Sequence, residues 1–102
     1  MADTFRITLG QMNPTVGDIT GNAAKARAAW EAGRDAGADL VALPEMFITG
    51  YNAQDLVMKA AFHATAMEAV EALAVECADG PALAIGCPWA EGTELFNAYL
   101  IC

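Results

Sequence analysis

The chain has 102 residues, enough for one small domain, and 56% of them are hydrophobic, which excludes disorder and predicts a packed core. Thirteen acidic residues against five basic ones give a net charge of −8, so phosphate backbones and anionic headgroups are poor partners, and we expect neither nucleic acid nor membrane binding. With no apolar stretch near the roughly 18–20 residues of a membrane span and no secretory signal pattern, we expect a cytoplasmic protein.

Strand and helix signals alternate along the chain. Residues 5–12 are predicted to form a strand, because apolar residues alternate with polar ones at its start. A helix follows that is capped by Asp18 or Asn22 and ends before Gly37. Four further elements follow: a strand over 39–43, a helix over 54–79, and strands over 82–86 and 95–102. Helices interspersed among strands indicate an α/β layered domain.

The last predicted strand, over 95–102, is apolar on both faces and therefore belongs inside a sheet. No further element follows to cover or flank it, and a lone apolar edge is an aggregation hazard. We therefore expect these residues to be the N-terminal part of a larger domain. The alternative is a complete small domain whose last strand is capped by a partner subunit.

Glu45 is the most suggestive candidate for chemistry. It directly follows Pro44, which ends the second strand, and open α/β sheets place their ligand crevices at the carboxyl ends of strands. Its apolar neighbours Leu43, Met46 and Phe47 would partly desolvate the carboxylate, which raises the pKa and makes a better base. The alternative is a solvated loop glutamate or a helix-capping acid.

Other candidates are weaker by themselves. Tyr51 could wall a pocket or pack on the sheet edge, and His63 is predicted to be exposed or half-buried. Cys87 follows a strand, but no histidine or lysine is placed to activate it as a nucleophile. The scattered cysteines, Cys77, Cys87 and Cys102, predict reduced thiols and no metal site. No glycine-rich phosphate loop is present, so this stretch should bind no nucleotide cofactor.

Several segments have a recognisable order and wording. They are 11–18 (QMNPTVGD), 21–22 (GN), 37–41 (GADLV), 43–51 (LPEMFITGY), 54–56 (QDL), 84–88 (AIGCP) and 95–98 (LFNA). These segments resemble the start of the carbon–nitrogen hydrolase (nitrilase) superfamily. Within it, the likeness is to the glutaminase domain of the glutamine-dependent NAD synthetases, and it covers essentially the whole chain.

The resemblance implies an α-β-β-α sandwich with a Glu–Lys–Cys triad, in which the glutamate is the general base for a cysteine that attacks the amide of glutamine. Glu45 matches that glutamate, and Tyr51 matches the tyrosine that lines the glutamine pocket. The resemblance implies that the family's lysine follows the fourth strand and its cysteine lies further on, so both would fall beyond Cys102. Lys25 and Lys59 lie in the wrong segments, and none of the three cysteines occupies the nucleophile's motif. The chain by itself is therefore predicted to be inactive.

In the complete family members, the resemblance implies that released ammonia passes to a second domain, which uses ATP and Mg to amidate deamido-NAD to NAD. We therefore interpret residues 1–102 as an incomplete N-terminal portion of a carbon–nitrogen hydrolase domain. Its expected partners are glutamine, the rest of its own chain and further copies in a homo-oligomer. Two alternatives are a fragment of a stand-alone amidase or nitrilase and a non-catalytic oligomerising module.

Overall fold

The computed structural model describes residues 4–50, 60–92 and 94–102, and strands and helices follow one another in the predicted α/β order. No helix in these ranges is long and apolar enough to cross a membrane. In chain order the elements are β1 (Ile7–Leu9), α1 (Ile19–Asp35), β2 (Leu40–Ala42), α2 (Ala60–Glu76), β3 (Ala82–Glu91) and β4 (Glu94–Ile101).

The strands form one sheet in the order β1-β2-β3-β4. The first three are parallel, and β4 runs antiparallel to β3. The register places Thr8, Val41 and Leu83 side by side. Val41 and Leu83 are fully buried, because α1 packs on β2, α2 packs on β3 and the two helices pack on each other. The helices therefore cover the same face of the sheet.

Trp30 is the large apolar anchor of α1, as its sequence position predicts. It is buried, and its indole Nε1 donates a 2.8 Å hydrogen bond to the carbonyl oxygen of Pro81, just before β3. The guanidinium of Arg34 lies over the ring, 5.2 Å from its centroid. The indole thus satisfies its polar atom inside the core and ties α1 to the start of β3.

The opposite face of the sheet carries apolar side chains that no described element covers. Because side chains alternate along a strand, the residues on this face are those out of phase with Val41 and Leu83. Ile7 and Leu9 are 53% and 69% exposed, and Ile101 is 72% exposed. We call this surface the open face; its members are Ile7, Leu9, Leu40, Ala42, Ala84, Gly86, Tyr99 and Ile101.

The ends of α1 follow the predicted chemistry. Of the two candidate caps, Asp18 takes the role, since its carboxylate accepts a 3.0 Å hydrogen bond from the backbone N–H of Gly21. Gly37, just past the helix, has the left-handed φ of +81° that favours glycine at this position. Asn22 lies inside the helix and is buried.

Several expectations differ from the structure. Strand β1 covers only Ile7–Leu9 of the predicted 5–12, and α2 ends at Glu76 instead of residue 79. Strand β3 continues to Glu91, beyond the predicted end at residue 86, and so passes through Pro88. The pairing of β3 with β2 ends at Ala84, so Pro88 lies where β3 is paired only with β4. The N–H that proline lacks is therefore not needed for a hydrogen bond to a second strand. His63 is buried instead of exposed or half-buried, and its Nε2 has no hydrogen-bond partner within the ranges given above.

Candidate functional site

Glu45 begins a turn over 45–49 at the carboxyl end of β2, the position that the sequence predicts for it. Hydrogen bonds to β3 hold the backbone on both sides of the turn. Before Glu45, Leu43 donates its N–H to Ala84 at 2.8 Å, and the carbonyl of Pro44 accepts from Gly86 at 3.3 Å. After it, Ile48 donates to the carbonyl of Gly86 at 3.3 Å. The turn therefore lies against β3 at Gly86.

Gly86 allows this close approach because it has no side chain. A Cβ atom built on Gly86 would lie 2.2 Å from the backbone nitrogen of Met46 and 2.4 Å from the Cα of Glu45. Both atoms belong to the main chain, so they cannot move aside as the end of a flexible side chain would. The glycine thus sets how near the Glu45 backbone comes to the sheet.

The residue that follows Glu45 has an unusual backbone. Met46 has a φ of +53°, in the left-handed region that non-glycine residues seldom occupy. The cost of that conformation is on the order of 1–2 kcal/mol. Phe47 and Ile48 are fully buried, and the Met46 carbonyl accepts a 2.8 Å hydrogen bond from Gly50, so the surroundings hold the turn in this shape. Such over-determined strain clusters at functional sites.

The side chain of Glu45 is exposed, and this corrects the expectation that Leu43, Met46 and Phe47 would partly desolvate it. Leu43 and Phe47 are buried in the core instead. Within the ranges that the structure describes, no hydrogen bond or ion pair occupies its carboxylate. The group is therefore available to a proton donor brought from elsewhere.

Asn22 joins α1 to this turn, a role that the sequence did not predict. Its fully buried side chain donates to the carbonyl of Ile48 at 3.0 Å and to that of Thr15 at 2.8 Å, and it accepts from the N–H of Thr15 at 2.7 Å. One side chain thus connects the helix, the loop before it and the end of the Glu45 turn. Nothing in the sequence distinguishes such a clamp from a helix cap, since both use asparagine near a helix start.

Replacing Asn22 with alanine is expected to lower the free energy of unfolding by about 2–4 kcal/mol. The buried carbonyl of Ile48 and the part-buried N–H and carbonyl of Thr15 would all lose their partner. Urea denaturation followed by tryptophan fluorescence measures the change. Asn13→Ala is the matched control: Asn13 is exposed, and its main-chain carbonyl, which accepts from Lys25, is kept. A loss for Asn22→Ala no larger than the control's would contradict the clamp.

Tyr99 reaches the same region from β4. Its hydroxyl donates a 2.8 Å hydrogen bond to the carbonyl of Leu43, and partial burial raises the pKa of the phenol, which keeps it a proton donor. The ring borders a shallow cavity of about 230 Å³ at the edge of the open face. Its other lining residues are Leu9, Gly10, Gln11, Ala42, Leu43 and Pro44.

The other candidates are not brought to Glu45. Cys87 is fully buried, and burial raises the pKa of its thiol to about 12, so it is an inert core thiol and not a nucleophile. Lys25 is bound to the loop before α1, where its Nζ donates to the carbonyl of Asn13 at 2.7 Å. Tyr51 and Lys59 lie outside the described residues. Within those residues no three His, Cys, Asp or Glu side chains gather as a metal site would require.

Known proteins match this chain along nearly its whole length. The model of the carbon–nitrogen hydrolase family matches residues 6–101. The glutamine-dependent NAD(+) synthetase of Rhodobacter capsulatus is 61% identical over 101 residues, which is 99% of this chain. The chain spans 18% of the length of that relative.

Two solved structures share the fold. A glutamine-dependent NAD(+) synthetase from Cytophaga hutchinsonii superposes with a TM-score of 0.90 at 28% identity, over 97% of this chain and 17% of that one. A mutant of the amidase from Nesterenkonia sp. AN1, in which acrylamide has added to the active-site cysteine, superposes with a TM-score of 0.74 at 25% identity. That match covers 89% of this chain and 36% of the amidase.

Proposed function

Since the chain belongs to the carbon–nitrogen hydrolase family, we propose that it is the N-terminal part of the glutamine amidohydrolase domain of a glutamine-dependent NAD synthetase. The observation that carries the proposal is the 61% identity to the Rhodobacter capsulatus synthetase along 99% of the chain. The position of Glu45 supports it, because that carboxylate stands exposed at the carboxyl end of a strand in an α/β sheet.

In this proposal Glu45 is the general base. Its carboxylate takes the proton from the thiol of a cysteine that the rest of the protein supplies, and the thiolate attacks the amide carbon of glutamine. The tetrahedral intermediate collapses, and the amide nitrogen leaves as ammonia with the proton that Glu45 had taken. Glu45 then removes a proton from water, which hydrolyses the thioester to glutamate and restores the thiol.

The remaining roles come from residues beyond those described. Tyr51 is proposed to line the glutamine pocket, and a lysine from later sequence to stabilise the oxyanion. ATP and Mg are proposed to act in a separate synthetase domain. The proposal also includes assembly of the full-length protein as a homo-oligomer in the cytoplasm.

The direct test measures NAD formation by the full-length protein from deamido-NAD, ATP and Mg. We expect either glutamine or ammonia to supply the nitrogen, and glutamate to be released in step with NAD when glutamine is used. Hydrolysis of amides with no NAD formed from either donor would identify a stand-alone amidase instead. Ammonia-supported synthesis that glutamine cannot replace would count against a glutaminase role.

A further inference from the structure

We propose that Tyr99 is a positioning residue for Glu45, acting through its hydrogen bond to the carbonyl of Leu43; this inference rests on the proposed function. Tyr99 lies on β4, whereas Glu45 follows β2, and β3 separates the two strands. The phenol therefore links β4, at one edge of the sheet, to the segment after β2 that carries Glu45.

Gly86 makes this link possible. The register pairs Tyr99 with Gly86, so the position beside the tyrosine on the open face has no side chain. Neighbouring strands lie about 4.8 Å apart, so the Tyr99 side chain reaches Leu43 across β3. The backbone of Glu45 and Met46 takes the space that a Cβ atom of Gly86 would need. The glycine thus lets the segment that carries Glu45 lie close to β3, within reach of the Tyr99 hydroxyl.

The hydrogen bond acts on the peptide plane that leads into Glu45. Tyr99 holds the oxygen of the bond between Leu43 and Pro44, at 2.8 Å. The proline ring fixes φ of Pro44 near −65°. Holding the Leu43–Pro44 peptide plane therefore also fixes the orientation of the bonds at the Pro44 Cα. The remaining rotation, ψ of Pro44, is restrained because the Pro44 carbonyl accepts from Gly86. Together these contacts set the direction in which Glu45 leaves the sheet.

The contact of Tyr99 that bears on the site is its hydroxyl, which satisfies the Leu43 carbonyl at the end of β2. A general base displaced by a fraction of an ångström loses rate in the chemical step, whereas binding of the substrate is affected less.

The test is Tyr99→Phe in the full-length protein, which removes the hydroxyl and keeps the ring. We expect glutamine-supported kcat to fall about tenfold, KM for glutamine to change less than about twofold, and ammonia-supported synthesis to stay unchanged. Ile101→Val is the matched control, since Ile101 neighbours Tyr99 on the open face of β4 and carries no hydrogen-bonding group. We expect all three quantities to stay at their original values in that control.

Three results would overturn the inference. An unchanged kcat would show that the hydroxyl does not position the base, and a rise in KM with kcat unchanged would mean that Tyr99 contacts glutamine. Equal losses of glutamine- and ammonia-supported synthesis would mean a structural role only. The proposed function is judged separately by Glu45→Gln: if that variant keeps glutamine-supported synthesis, the function fails whatever Tyr99→Phe does. If it loses that synthesis while Tyr99→Phe does not, the positioning role alone fails.

Discussion

Glutamine-supported NAD synthesis by the full-length protein is expected to fall by roughly 10²–10⁴-fold when Glu45 is replaced with glutamine, the range that a general base contributes. The amide matches the carboxylate in shape but cannot accept the thiol proton. Synthesis supported by added ammonia should be unchanged, because it bypasses the glutaminase reaction. Steady-state rates with each nitrogen donor measure both quantities in the same preparation.

Glu71→Gln is the matched control for this substitution. Glu71 is an exposed glutamate on α2, and it makes no hydrogen bond or ion pair with any described residue. The control should retain both activities, and neither variant should change the melting temperature much, since both side chains are exposed. Loss of both activities in Glu45→Gln, or loss of neither, would contradict the role assigned to Glu45.

Replacing Gly86 with alanine is expected to damage both stability and activity. The new methyl group would stand 2.2 Å from the nitrogen of Met46, so the turn must move away from β3 or the strand must bend. We expect a loss of about 1–3 kcal/mol in the free energy of unfolding and, since an ångström of displacement can cost 10²-fold, about a 10²-fold fall in glutamine-supported kcat. Urea denaturation and donor-specific rates provide the two measurements.

Gly92→Ala separates this steric effect from the general cost of replacing a glycine. Gly92 lies in the turn between β3 and β4 with a φ of +61°, and a Cβ there would meet nothing within 4 Å. The control should lose only about 1–2 kcal/mol for its left-handed backbone and keep its glutamine-supported kcat. If Gly86→Ala proved as active as the control, the turn would not depend on the close approach at Gly86.

Most of the fold could be predicted because the elements that form it have strong local signals. Apolar residues recur at helical spacing in the second predicted helix. Of these residues, Ala66, Val70, Leu73 and Cys77 are buried and Ala69 is half-buried, as the helical period requires. The assignment to one part of a nitrilase-like α-β-β-α sandwich is confirmed by the comparisons. The burial of His63 could not be predicted. A single histidine at the border between the apolar and polar faces of a helix fits either face.

The site could be predicted only where its signal is local. Pro44 directly follows the apolar run of the second strand, so the end of that strand could be predicted from the sequence. This predicted Glu45 at the carboxyl end of the strand, where the structure has it. The exposure of Glu45 depends on the turn that Met46 forms, which propensity does not predict for a methionine. The pairing of Tyr99 with Gly86 depends on the register of two strands, and a register shifted by one residue would put the phenol on the opposite face.

The open face has a consequence for synthesis of the protein on the ribosome. In an α-β-β-α sandwich, translation delivers β1, with Ile7 and Leu9 on it, before the sheet that would cover this face. The nascent chain therefore presents apolar side chains, of which Ile7 and Leu9 are 53% and 69% exposed. The net charge of −8 then keeps neighbouring nascent chains apart by mutual repulsion. We therefore expect the acidity of this segment to oppose association between nascent chains.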